Sequence, residues 1–165
     1  MAENWLESLN PETLAKAQKL IERMKQLGAE EPETWVESEV TEDIAQMARF
    51  LILRRLRSDI DAWHDNPSAW VEREIAEAEK KPESSFSETG RALKRMIDAG
   101  VSLDDVGRVA KSVAFESTFN VLNLIDEAGD PDAEGDDLPG WALIETDAEG
   151  EATGRFIVGL HEDLY

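Results

Sequence analysis

Apolar residues recur at helical spacing through most of the first 128 positions and at strand spacing only near the C-terminus. Leu14, Ala17, Ile21 and Met24 form the first stripe. Its start is well specified: Asn10 serves as N-cap, Pro11 takes the first helical position, and Leu9 can staple onto Leu14. Gly28 supplies the stop. A second helix is predicted from about Thr41 to Trp63. Its middle, Arg49-Phe50-Leu51-Ile52-Leu53, is apolar around much of its circumference, which implies a helix covered on several sides.

Asn66-Pro67 opens a third, more polar helix with a narrow stripe of Val71, Ile75 and Ala78, ended by Pro82. Ser85-Phe86-Ser87-Glu88 fits a capping box for a fourth, which carries Leu93, Met96 and Ile97 before Gly100. The fifth takes Ser102 as N-cap with Asp105 at the third position, and Val101 is placed to staple onto Val106. One row along it holds Leu103, Val106, Ala110, Val113, Val121 and Leu124; a second holds Phe115, Phe119 and Leu122.

After Ala128 the periodicity stops. Residues 129–140 read as an acidic loop rich in turn formers. Residues 141–146 and 155–160 then alternate as two strands, joined through Asp147-Ala148-Glu149-Gly150 into a hairpin over 141–160. Alternation puts Phe156, Val158 and Leu160 on one face and Arg155, Ile157 and Gly159 on the other. The expected fold is therefore mainly α: a five-helix, bundle-like body over 1–128 with a small C-terminal β-hairpin, in one domain spanning 1–165.

The 165 residues suffice to bury ~70% of the surface of the unfolded chain. A 41% apolar content rules against disorder of the whole chain. Charge changes the picture more. The chain carries 37 acids against 17 bases, a net −20, and residues 126–165 hold 13 acids with Arg155 as the single base. Binding to nucleic-acid phosphates or an anionic membrane is disfavoured, because both require a basic surface. The absence of cysteine removes disulfides, thiol nucleophiles and Cys-built zinc sites. Without a basic and apolar leader or a long apolar run, the expected location is the cytoplasm.

Chemistry-bearing patterns are sparse. Asp130, Asp132, Glu134 and Asp136 could gather a hard cation such as calcium. Counted from Asp130, however, the helix-loop-helix calcium pattern fails at Leu138 and Trp141, and no cofactor is expected. His161-Glu162 begins like a zinc-helix motif, but Tyr165 stands where the second histidine is required. No nucleophile elbow, phosphate loop or dinucleotide fingerprint occurs. A carboxylate-based hydrolase would need acids brought beside His64 or His161.

Arg55–Asp59 and Arg57–Asp61 are spaced to pair along one helix, and Arg155 is placed to pair across strands with Glu145 or Asp147. Trp63 and Trp70 flank a helix–helix turn and are expected to clamp it, while Trp141 is the best candidate for a partly exposed aromatic. The leading expectation is a non-catalytic acidic protein, inhibitor- or immunity-like. Asp132, Glu134, Asp136, Asp137 and Trp141 would meet a basic protein partner, and the hairpin would add a contact to that partner or to a second copy. The alternatives are a carboxylate-based hydrolase, a metal-binding protein, or acidity that serves solubility alone.

Overall fold

The computed structural model describes residues 5–129 and 138–165. Among these residues there are six helices and one two-stranded antiparallel sheet, a helix-dominated α+β fold. After a 3-10 turn at Trp5–Ser8 come α1 (Pro11–Gln26), α2 (Pro32–Thr41), α3 (Gln46–Asp65), α4 (Pro67–Lys80), α5 (Ser87–Asp98) and α6 (Leu103–Asp126). The sheet pairs β1 (Ile144–Thr146) with β2 (Ala152–Phe156). No helix among the described residues is long and apolar enough to cross a membrane.

Local chemistry explains most boundaries. Thr13 N–H donates to Asn10 Oδ1 at 2.9 Å, Ala69 N–H to Asn66 Oδ1 at 3.4 Å, and Asp105 N–H to Ser102 Oγ at 3.1 Å, so the starts of α1, α4 and α6 are capped at the residues where the sequence opens them. Helices α1 and α5 end at Gly28 (φ 88°) and Gly100 (φ 84°), a left-handed conformation that other residues resist.

Four details differ from the sequence pattern. A sixth helix, α2, lies where none is expected; Pro32 starts it, but Glu31 provides no side-chain cap, and its apolar residues Trp35, Val36 and Val40 span too few turns to mark a helix. Helix α3 consequently starts at Gln46 rather than near Thr41, after Asp43 breaks the chain direction at φ 56°. The capping box is not made: α5 begins at Ser87 after an uncapped Phe86, and Ser87 Oγ donates instead to the Pro82 carbonyl. Finally, the strands are shorter and shifted. Asp147 Oδ1 accepts from Glu149 and Glu151 N–H, which closes the turn early and starts β2 at Ala152.

The contacts divide the chain into two compact units, Met1–Arg54 with Val121–Tyr165, and Arg55–Asn120. In the first, Ala17, Ile21, Met24, Val36 and Phe50 form the core, with Trp35 set edge-on to Phe50 at 6.0 Å. In the second, Val71, Leu93 and Val106 are buried together, flanked by Trp70, Ile75, Ile97 and Leu103. The Trp63–Trp70 clamp is present: the rings meet edge-on at 5.2 Å, and Trp70 Nε1 donates to the Trp63 carbonyl at 2.9 Å.

Candidate functional site

The hairpin belongs to the first unit, and a buried ion cluster positions it. Arg155 projects from β2 and donates through Nε and Nη2 to both carboxylate oxygens of Glu145 on β1, at 2.8 and 2.6 Å. Its Nη1 reaches Glu39 Oε1 on α2 at 2.8 Å. The other oxygen of Glu39 accepts the Met47 N–H at 2.7 Å. Glu39 is only 3% exposed. Burial works against charge on Arg155, but its hydrogen bonds to Glu145 and Glu39 outweigh that and hold the guanidinium above its ordinary pKa. The cross-strand pair with Glu145 is the expected one; Glu39 is the partner the sequence pattern did not identify.

Because β residues alternate, anchoring Glu145 and Arg155 inward turns their neighbours outward. Ile144 and Phe156 are register partners, and both are exposed. The ladder closes with Ile157 N–H donating to the Leu143 carbonyl at 2.9 Å. Val158 is exposed, whereas Leu160 is fully buried although alternation would place it beside Phe156 and Val158. The reason is that β2 ends at Phe156. Beyond it the backbone follows other partners: Gly159 N–H donates to Asp126 Oδ1, and the Gly159 carbonyl accepts from Arg49. Ile157, Leu160 and Leu164 are all buried in this segment.

Trp141 is 39% exposed, as its candidacy requires. It lies outside the ladder and is tied to the end of α6, with its backbone N–H donating to the Ala128 carbonyl and Nε1 to the Leu124 carbonyl. Asp130, Asp132, Glu134, Asp136 and Asp137, named as metal or partner ligands, lie outside the described residues. Among the described residues, no three or more metal-capable side chains gather. Besides Glu145 on β1, the carboxylates that the structure places at the hairpin are Asp147, Glu149 and Glu151, all exposed at the turn.

No protein-family model matches the chain, and no curated protein or solved structure matches it. Function must therefore be read from the geometry.

Each histidine does have a carboxylate beside it. His161 Nδ1 lies 2.6 Å from Asp126 Oδ2, and His64 Nε2 lies 2.9 Å from Asp104 Oδ1. Asp126 also takes the Gly159 N–H, so this pair fastens the C-terminal segment onto α6. Asp104 is held below the usual carboxylate range, first by its hydrogen bond from Arg108 and then by His64. A depressed folded-state pKa gives stability that is present above the unfolded value and disappears as pH falls through the folded one. Asp104→Asn is thus expected to lower the urea midpoint modestly at neutral pH, with the difference from wild type closing as the carboxylate range is crossed. An unchanged difference at acid pH would contradict this assignment.

Among the basic residues, Arg55 pairs with Asp59 at 3.0 Å, as its spacing suggests. Asp61 pairs with Lys111 at 2.6 Å, and Arg54 donates to the Leu27 carbonyl at 2.9 Å. The second unit also contains an apolar groove of about 370 Å³ between α5 and α6, floored by Leu93 and Val106 and edged by Trp63 and Met96. The sequence pattern carries no signal for it, because its residues lie on four helices whose packing no local spacing encodes.

Proposed function

We propose that this protein is a non-catalytic binding protein whose C-terminal hairpin docks a basic protein partner. The observation that carries the reading is the two-sided hairpin: its inner face is spent on the Arg155 cluster, while its outer face offers Ile144 and Phe156 to solvent above an acidic turn. Exposed apolar side chains rimmed by charge are the usual makeup of a protein-binding patch. The surroundings select the partner's sign. Counted by unit, the first holds 24 acids and 7 bases (−17), and the second 13 acids and 10 bases (−3). A basic partner would be steered toward the first unit, whereas a second copy would meet like charge there.

Two synthetic peptides test this, one of lysine and serine and one of lysine and leucine, at equal charge. The leucine-containing peptide is expected to bind roughly tenfold more tightly, an apolar contribution of ~1.4 kcal/mol. Phe156→Ser should remove that advantage and leave the lysine–serine peptide unaffected. Glu149→Lys with Glu151→Lys should slow association of both peptides more than it speeds dissociation. Equal binding of the two peptides by the wild-type protein would reduce the acidity to a role in solubility.

A further inference from the structure

The hydrogen bonds of the hairpin fix which backbone groups stand on its edges. Ile157 N–H donates to the Leu143 carbonyl, one step outside the partners Ile144 and Phe156. Asp147 N–H donates to the Glu151 carbonyl, one step outside the partners Thr146 and Ala152. Residues paired in this way do not bond each other, and their own N–H and C=O groups point away from the facing strand. On β1, Ile144 and Thr146 therefore turn two donors and two acceptors outward, one strand repeat apart. Among the described residues, neither bonds another segment through its backbone. The edge of β2 is not equivalent. Its outward residues, Phe156 and Ala152, lie four positions apart where Ile144 and Thr146 lie two apart, and Gly154 between them takes φ 87°. Such a bulge breaks the spacing that an added strand needs.

We propose that the basic partner is held at the edge of β1, where an extended segment of it adds as a third, antiparallel strand. This rests on the basic-partner reading above and specifies how that partner is gripped. The backbone of Ile144 and Thr146 supplies the hydrogen bonds, and side chains supply selection. Ile144 and Phe156 stand side by side on the outer face, so an apolar residue at every second position of the segment extends that row. Asp147 follows β1 directly, and Glu149 and Glu151 complete the exposed turn, so cations where the segment passes the turn meet opposite charge. A second copy laid on this edge would instead bring the −17 of another first unit.

The test uses wild-type protein and a peptide of strictly alternating lysine and leucine, either unmethylated, N-methylated at every leucine, or N-methylated at every lysine. Side chains and charge are the same in all three forms. With leucines on the Ile144 face of an antiparallel strand, the leucine N–H groups point at β1 and the lysine N–H groups point away. Leucine methylation removes the donors to the Ile144 and Thr146 carbonyls and is expected to weaken binding roughly tenfold or more, against less than about twofold for lysine methylation. Amide exchange at Ile144 and Thr146 should slow when the unmethylated peptide binds. The reverse asymmetry between the two methylated forms would support addition at the same edge, with the strand parallel to β1. Equal binding of all three forms would mean that side chains alone dock, and would overturn strand addition while leaving the basic-partner reading intact. Equal weakening by both methylations would also overturn it, because a helical peptide needs both sets of donors. Unchanged exchange at Ile144 and Thr146 would overturn it as well. A dimer of the protein alone that the peptide dissociates would give the edge to a second copy. An unmethylated lysine–leucine peptide that binds no better than lysine–serine would instead overturn the parent reading, and this one with it.

Discussion

Replacing Arg155 by methionine is expected to destabilise the protein by about 3–5 kcal/mol in urea denaturation, the cost of removing one partner from a buried ion cluster. The magnitude follows from what is left behind. Glu39, 3% exposed, would retain the Met47 N–H on one oxygen but lose the guanidinium on the other. Glu145, whose side chain is 11% exposed, would lose both of its bonds from Arg155. Two carboxylates would then face each other's charge, Glu39 almost wholly out of water and Glu145 left with the Thr153 hydroxyl. The same reasoning predicts recovery. Replacing Arg155, Glu39 and Glu145 together by apolar residues of similar size removes the stranded charges, and should return stability to within ~1 kcal/mol of wild type or above it. A single substitution costing under ~1 kcal/mol would show that the cluster does not anchor the hairpin.

Gly90→Ala is expected to be the second severe change, and its sign runs against helix propensity. Gly90 sits inside α5, where alanine would ordinarily gain up to ~1 kcal/mol. An added Cβ, however, would fall on the Glu74 carbonyl oxygen and lie 2.6 Å from the Ala78 Cβ, both on α4. Neither obstacle is the end of a flexible side chain, so α4 and α5 would have to separate. Overpacking of this kind costs about 1–3 kcal/mol beyond the propensity gain. Thermal unfolding should drop by several degrees, and amide exchange should accelerate in α4 and α5. An unchanged or raised midpoint would mean that the two helices do not approach so closely.

What the sequence discloses here depends on whether the determining interaction is local. Asn10, Asn66 and Ser102 cap their helices with hydrogen bonds spanning three positions, and Gly28 and Gly100 end helices through their own backbone conformation. All five are visible in the linear chain. Helix α2 is not, because it lacks a capping side chain and is held by packing of Val36 in a core that includes α1 and Phe50. The candidate site divides in the same way. Arg155 and Glu145 lie across one turn, so their pairing follows from strand geometry. Glu39 lies 116 positions before Arg155, and nothing in the chain distinguishes it from 36 other acids until the fold buries it. Trp141 was identifiable as exposed, but its attachment to Leu124 rather than to the ladder required tertiary structure.

The division of the chain into units also bears on the order of synthesis. The second unit is one unbroken stretch, Arg55–Asn120, whereas the first is made from the two stretches on either side of it. A growing chain therefore presents every residue of the second unit before Val121 has been added. The first unit must wait: Glu39 meets Arg155, and Arg49 meets Asp163, across 116 and 114 positions. Closing so wide a gap in free chain is entropically costly and slow. Once residues 55–120 have folded, that interval no longer behaves as free chain, and the remaining closure is correspondingly easier. Vectorial synthesis thus favours completion of the near-neutral unit first, and the acidic unit must wait for side chains as late in the chain as Leu164, which is buried.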